Sequence, residues 1–129
     1  MSYYVAKIVG GPFDRVLADV IELLKSEGFG VLTDIDVQAT LKNKIGAEIP
    51  KYRILGACNP GFAHEALKIE DKLGVLLPCN VIVRETADGR VEVASVDPVV
   101  AMQRTGNPAL ATTAEEVRRR LSRMIDALR

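Results

Sequence analysis

Apolar residues in this chain recur at two spacings, and the switches between them mark the elements. Tyr3 to Val9 is short, aromatic and β-branched, and it stops at Gly10-Gly11-Pro12, the pattern of a first strand. Phe13, Val16, Leu17, Val20, Ile21 and Leu24 then follow helical spacing, with Asp14, Arg15, Asp19, Glu22 and Lys25 on the other face. Gly28 suits the left-handed position just past the end of that helix. From Phe29 the spacing drops to two: Phe29, Val31, Thr33, Ile35 and Val37 alternate with Gly30, Leu32, Asp34 and Asp36, which predicts a strand with one face toward a core. Gln38 to Ile45 has room for a helical turn.

Tyr52 to Asn59 reads as a third strand, stopped by Pro60. Asn59-Pro60 also suits the start of a helix, because the Asn side chain accepts an orphan backbone amide and Pro has none to satisfy. Phe62, Ala66, Ile69 and Leu73 form its stripe. Cys79 to Glu85 and Val91 to Val96 flank Ala87-Asp88-Gly89-Arg90, a hairpin signal. Residues 97–112 make a long connection, with room for a short helix, a lid or a dimer contact. Thr113 and Glu116 match a capping box ahead of Val117, Leu121, Met124 and Leu128, while Arg118, Arg119, Arg120 and Arg123 fall outside that stripe as a solvated face. The expected fold is α+β, a mainly antiparallel sheet with helices packed on it, in the order β-α-β-β-α-β-β-α, with residues 1–129 forming one domain.

Composition narrows the function classes. Seventeen basic and seventeen acidic residues leave no net field to draw in nucleic acid or an anionic membrane. Apolar runs such as Val75 to Leu77 are far too short to span a bilayer, and no basic segment precedes an apolar one at the N-terminus, so a cytoplasmic location is expected. There the two cysteines remain reduced, although pairing of Cys58 with Cys79 is arithmetically open.

Candidate chemistry centres on a Cys-Asn pair that occurs twice, as Cys58-Asn59 leaving a strand and Cys79-Asn80 entering one. A thiol just before a helix start gains thiolate character if the sulfur faces the positive end of the dipole, which makes Cys58 the better nucleophile candidate; burial as small apolar side chains is the plainer fate of both. His64, the single histidine, would give a metal only three ligands with Cys58 and Cys79, whereas a closed zinc site wants four, so no metal is expected. His64 falls on the helix face with Lys68, Asp71 and Lys72, a solvated position. Gly10-Gly11 lacks a dinucleotide or P-loop pattern, and nothing in the spacing of Asp34, Asp36, Glu65, Glu70 or Glu85 singles out a catalytic carboxylate. Tyr3, Tyr4 and Tyr52 could supply hydroxyls to a ligand, with packing as the plainer role.

Tyr52 to Pro60 (YRILGACNP), Ala63 with Ala66 and Leu67, and Leu76 to Glu85 (LLPCNVIVRE) together resemble the domain of unknown function family numbered 302. The segment Asp34 to Leu41, Val96 to Pro98 and Met102 extend the resemblance over nearly the whole chain. It implies a TATA-binding-protein-like α+β fold with an inserted helix, a homodimer, and no assigned activity or cofactor. The family's motif falls on Cys58, Asn59, Pro60, Pro78, Cys79 and Asn80. If the two strands that carry these residues are neighbours, the Cys-Asn pairs converge, with His64 nearby, into an apolar pocket for a small molecule or partner. The rival reading is a thiol-dependent enzyme or redox protein using Cys58 and Cys79, with the Asn side chains as hydrogen-bond donors. A third is an interaction subunit that uses residues 97–112 and a sheet edge.

Overall fold

In the computed structural model, which describes residues 2–129, five strands form one sheet in the order β1-β5-β4-β3-β2. The strands are β1 (Tyr4–Val9), β2 (Gly30–Asp36), β3 (Tyr52–Cys58), β4 (Cys79–Glu85) and β5 (Val91–Val96). All four neighbouring pairs run antiparallel. Helices α1 (Phe13–Ser26), α2 (Val37–Ile45), α3 (Pro60–Ile69), α4 (Pro98–Gln103) and α5 (Ala111–Ala127) connect or follow them. The protein is thus α+β, with helices packed on an antiparallel sheet. Among the described residues no helix is long and apolar enough to cross a membrane.

Alternation along β4 and β5 sets the two faces. Cys79, Val81 and Val83 of β4 and Val91, Val93 and Ser95 of β5 are buried, while their intervening neighbours are not. The buried face joins Val16, Val20 and Leu24 of α1 and Val117, Leu121, Met124 and Ile125 of α5 in the main core. On the opposite face the ladders align Ala6, Ala94, Ile82, Ile54 and Ile35 in one apolar row across all the strands. A second, smaller core of Ala66, Leu73, Met102, Leu110 and Ala114 ties α3 to α4 and α5.

The first helix ends as its glycine predicts. Gly28 sits at φ +88°, and its amide and that of Phe29 donate to the Lys25 and Leu24 carbonyls at 3.0 and 2.9 Å. Three other elements depart from expectation. The even alternation read from Phe29 to Val37 breaks at Leu32, where a bulge separates the pairs Val31↔Ala57 and Thr33↔Gly56. The extra residue reverses the side-chain direction: Phe29 is buried, but Ile35 stands 47% exposed on the opposite face. The turn at Gln38 to Ile45 is a full helix from Val37, capped by Asp36, whose carboxylate accepts from the Ala39 amide at 2.9 Å.

The third departure is at the C-terminal helix. No capping box forms at Thr113 and Glu116; α5 continues from a 3-10 turn at Pro108–Leu110 that Asn107 caps, leaving Thr113 inside the helix. Glu116 instead accepts from Arg119 and Arg120. Nor are the α5 arginines simply a solvated face. Arg118 pairs at 3.3 Å with Asp97, which is buried and caps α4, and Arg123 pairs at 2.7 Å with Glu27 at the end of α1. The 97–112 connection therefore holds a short helix and a 3-10 turn.

Candidate functional site

Strands β3 and β4 are neighbours, with Ala57 opposite Cys79 and Gly56 opposite Asn80. That register brings Cys58, at the end of β3, beside the start of β4. Asn59 then turns the chain: its Oδ1 accepts from the Phe62 amide at 3.2 Å, and Pro60 opens α3. Gly56 is required here. A Cβ at this position would lie 2.2 Å from Thr33 Oγ1 and 2.7 Å from Pro78 Cγ, so only glycine lets β2 and the Leu77-Pro78 segment close over β3.

Beneath α3, at the seam between the two cores, lies a cavity of about 320 Å³. Its inner wall is Phe29, Ala57, Ala66, Cys79, Met102 and Val117, all buried. Toward its rim stand the half-buried Cys58, Asn59 and Thr113 and the exposed Leu32 and Leu67. The cavity brings Cys58, Asn59, Pro78 and Cys79 together. Pro60 and His64 are exposed on α3 and do not line it. Asn80 lies on the opposite face of the sheet, in a shallow depression with Tyr3, Tyr4 and Tyr52. The repeated Cys-Asn pair is therefore split: both thiols reach the cavity, but alternation along β4 turns Asn80 away.

The two cysteines are free thiols. Burial pushes the Cys79 thiol up to about 11 from its ordinary 9.0, and the nearby Cys58 adds to the shift. The roof is held by Arg120, which stacks over the Phe62 ring at 5.0 Å and donates to the Glu27 carbonyl and the Glu116 carboxylate, each at 3.0 Å. Among the described residues no three of His, Cys, Asp and Glu cluster to hold a metal.

Most of this lining was not legible as a site. Met102 and Thr113 come from the far end of the chain, and Phe29, Phe62 and Ala66 read only as core. Pairing of β3 with β4 is the signal that joins them, because it fixes where α3 and the Leu77-Pro78 segment must lie.

The model of the family described as domain of unknown function DUF302 matches residues 5–128. The chain belongs to that family. This DUF302 chain is similar to an uncharacterised protein of Aquifex aeolicus (strain VF5), 27% identical over 94 residues that cover 73% of the chain and 59% of that protein. It therefore matches about three fifths of that relative's length. It is also similar over 100% of both chains to the crystal structure of an uncharacterised conserved DUF302 protein from Bacillus stearothermophilus, at 27% identity and a TM-score of 0.93. Its function, like that of these relatives, is uncharacterised.

Proposed function

We propose that this protein is a binding domain for a small, mainly apolar molecule held in the cavity under α3. The observation that carries the reading is the cavity itself: about 320 Å³ of half-open space lined almost wholly by apolar side chains, within the size range of small-molecule sites. Burial holds Cys79 as a neutral thiol at neutral pH, which weighs against its part as the assisting thiolate in the thiol-enzyme reading. Two unbridged cysteines fit a reducing cytoplasm.

A cavity-filling variant tests the reading. Ala63 lines the space from α3 and is only half-buried, so Ala63→Phe extends into it without disrupting the main core. Binding of the neutral fluorescent probe N-phenylnaphthylamine is expected in the native chain and lost in Ala63→Phe with the melting curve retained. Equal binding by both proteins overturns the assignment.

A homodimer is the proposed working form, with the sheet face opposite the main core meeting its copy. Tyr4, Ile8 and Ile35 stand 45%, 44% and 47% exposed on that face. Its charges Arg84 and Glu92 are paired to each other at 2.7 Å, so a copy meets no net repulsion there. Sedimentation should give a dimer that Ile8→Glu with Ile35→Glu converts to a folded monomer; a monomeric native chain refutes it.

A further inference from the structure

The two thiols face one space from neighbouring strands. Ala57 is the direct partner of Cys79, so Cys58 is one residue off register with it. On regular antiparallel strands that offset separates two Cα atoms by about 5.6 to 6.5 Å, inside the span of roughly 4.4 to 6.8 Å that a disulfide requires. Strict alternation would send the two side chains to opposite faces. However, β3 ends at Cys58 and the chain turns there into α3, so both residues line the cavity. They are near enough for Cys58 to add to the upward shift of the Cys79 thiol. Gly56 permits the approach, because its missing Cβ leaves room for Pro78, the residue before Cys79.

The surroundings suit a disulfide better than a charged form of sulfur. Among the described residues no Lys, Arg or His lines the cavity. A thiolate or an oxidised sulfur acid in the inner wall would lose hydration without gaining a counter-charge, whereas a disulfide is uncharged. Position gives the bond a consequence. Cys58 stands toward the rim and Cys79 in the inner wall, so a bond between them crosses the space from one to the other. It also ties the turn that opens α3 to the Leu77-Pro78 segment. Of the 10 residues of α3 only Ala66 is buried, so this tie would fix a roof that packing holds lightly.

We propose that Cys58 and Cys79 form a reversible redox pair, dithiol when reduced and disulfide when oxidised, and that bridging them closes the inner part of the cavity. The closing rests on the ligand-binding reading above; the pairing does not. With a small organic disulfide as oxidant, the Cys58 thiolate attacks one of its sulfurs and releases the other as a thiolate. Cys79, on losing its proton, then attacks the Cys58 sulfur and displaces the second thiolate. The pair gives up two electrons and two protons, and the oxidant becomes two thiols. An excess of small thiol runs both steps backward. Burial keeps Cys79 protonated at neutral pH, so closing is slow and the pair is read at equilibrium.

The experiment equilibrates the full chain with mixtures of hydroxyethyl disulfide and mercaptoethanol, in native buffer and in urea. Acid quenching, alkylation of the unfolded chain and mass spectrometry then separate bridged from reduced protein. Bridging is expected to be about thirtyfold or more favourable in the folded chain than in urea, the factor equivalent to the low end of a native disulfide's contribution. Bridging no more favourable in the folded chain than in the unfolded one overturns the pair. N-phenylnaphthylamine is then titrated into the reduced and the bridged protein. Binding is expected in the reduced chain, lost in the bridged chain and restored by excess mercaptoethanol. Equal binding by the two forms overturns the closing. A folded chain that bridges as expected but binds no probe when reduced overturns the ligand-binding reading and the closing with it, while the pair stands.

Discussion

Cys58 and Cys79 stand one register step apart on neighbouring strands, since Ala57 is the direct partner of Cys79, yet they meet different surroundings: Cys58 is half-buried and Cys79 is buried. Their reactivity should therefore separate. At mildly alkaline pH a small alkylating reagent is expected to modify Cys58 in the native protein and to reach Cys79 only after unfolding. Mass spectrometry of the digested chain reads both sites, and modification of the two at equal rates would refute the difference.

The same burial makes stability depend on pH. The folded chain keeps the Cys79 proton up to about 11, whereas the unfolded thiol releases it near 9.0. Between those values the unfolded chain binds fewer protons than the folded one, so stability present below about pH 9 is lost as pH rises through the window. A shift of this size corresponds to roughly 2 to 3 kcal/mol. Urea denaturation of the native chain and of Cys79→Val across that range isolates the effect, because other groups titrate equally in both. The variant is expected to show the shallower decline.

Gly56 gives a sharper prediction. Gly56→Ala places a methyl group 2.2 Å from Thr33 Oγ1 and 2.7 Å from Pro78 Cγ, and is expected to cost about 2 to 4 kcal/mol, at or above the upper end for overpacking. Adding Thr33→Ala removes the nearer clash and should restore part of the loss, leaving the Pro78 contact. Additive costs in the double-variant cycle would show that the two side chains do not compete for this space.

Arg120 is expected to matter through shape as much as charge. It stacks on Phe62 and bridges Glu116 to the Glu27 carbonyl. Arg120→Lys keeps the charge but lacks the planar fork, so it should lose most of what Arg120→Ala loses, about 1 to 3 kcal/mol by denaturant melting. Full retention of stability in the lysine variant would reduce the contact to simple charge.

The elements that local rules govern were legible in the sequence. The α1 stripe ending at Gly28, the Asn59-Pro60 helix start and the Asp88-Gly89 hairpin each depend on a few adjacent residues, and each is present. What failed required information from elsewhere in the chain. The alternation from Phe29 to Val37 looks continuous until β3 supplies the partners that expose the bulge at Leu32. The capping box at Thr113 was outcompeted by Asn107, which starts a 3-10 turn that feeds directly into α5. The candidate site was legible only in part. Cys58, Asn59, Pro78 and Cys79 are brought together by strand pairing, but His64 and Asn80 carry side-chain directions that proximity along the chain does not fix.

The bulge at Leu32 has a consequence for how the protein behaves in a crowded solution. Strand β2 is one of the sheet's two outer strands, and an unbroken edge with Leu32 and Ile35 exposed would offer a template on which another chain could add its own strand. The inserted residue disrupts the regular spacing of backbone donors and acceptors along that border, and Asp34 and Asp36 flank Ile35 with charge. Deleting Leu32 would straighten the border, and the shortened chain should form intermolecular sheet and precipitate under conditions in which the natural sequence stays dispersed.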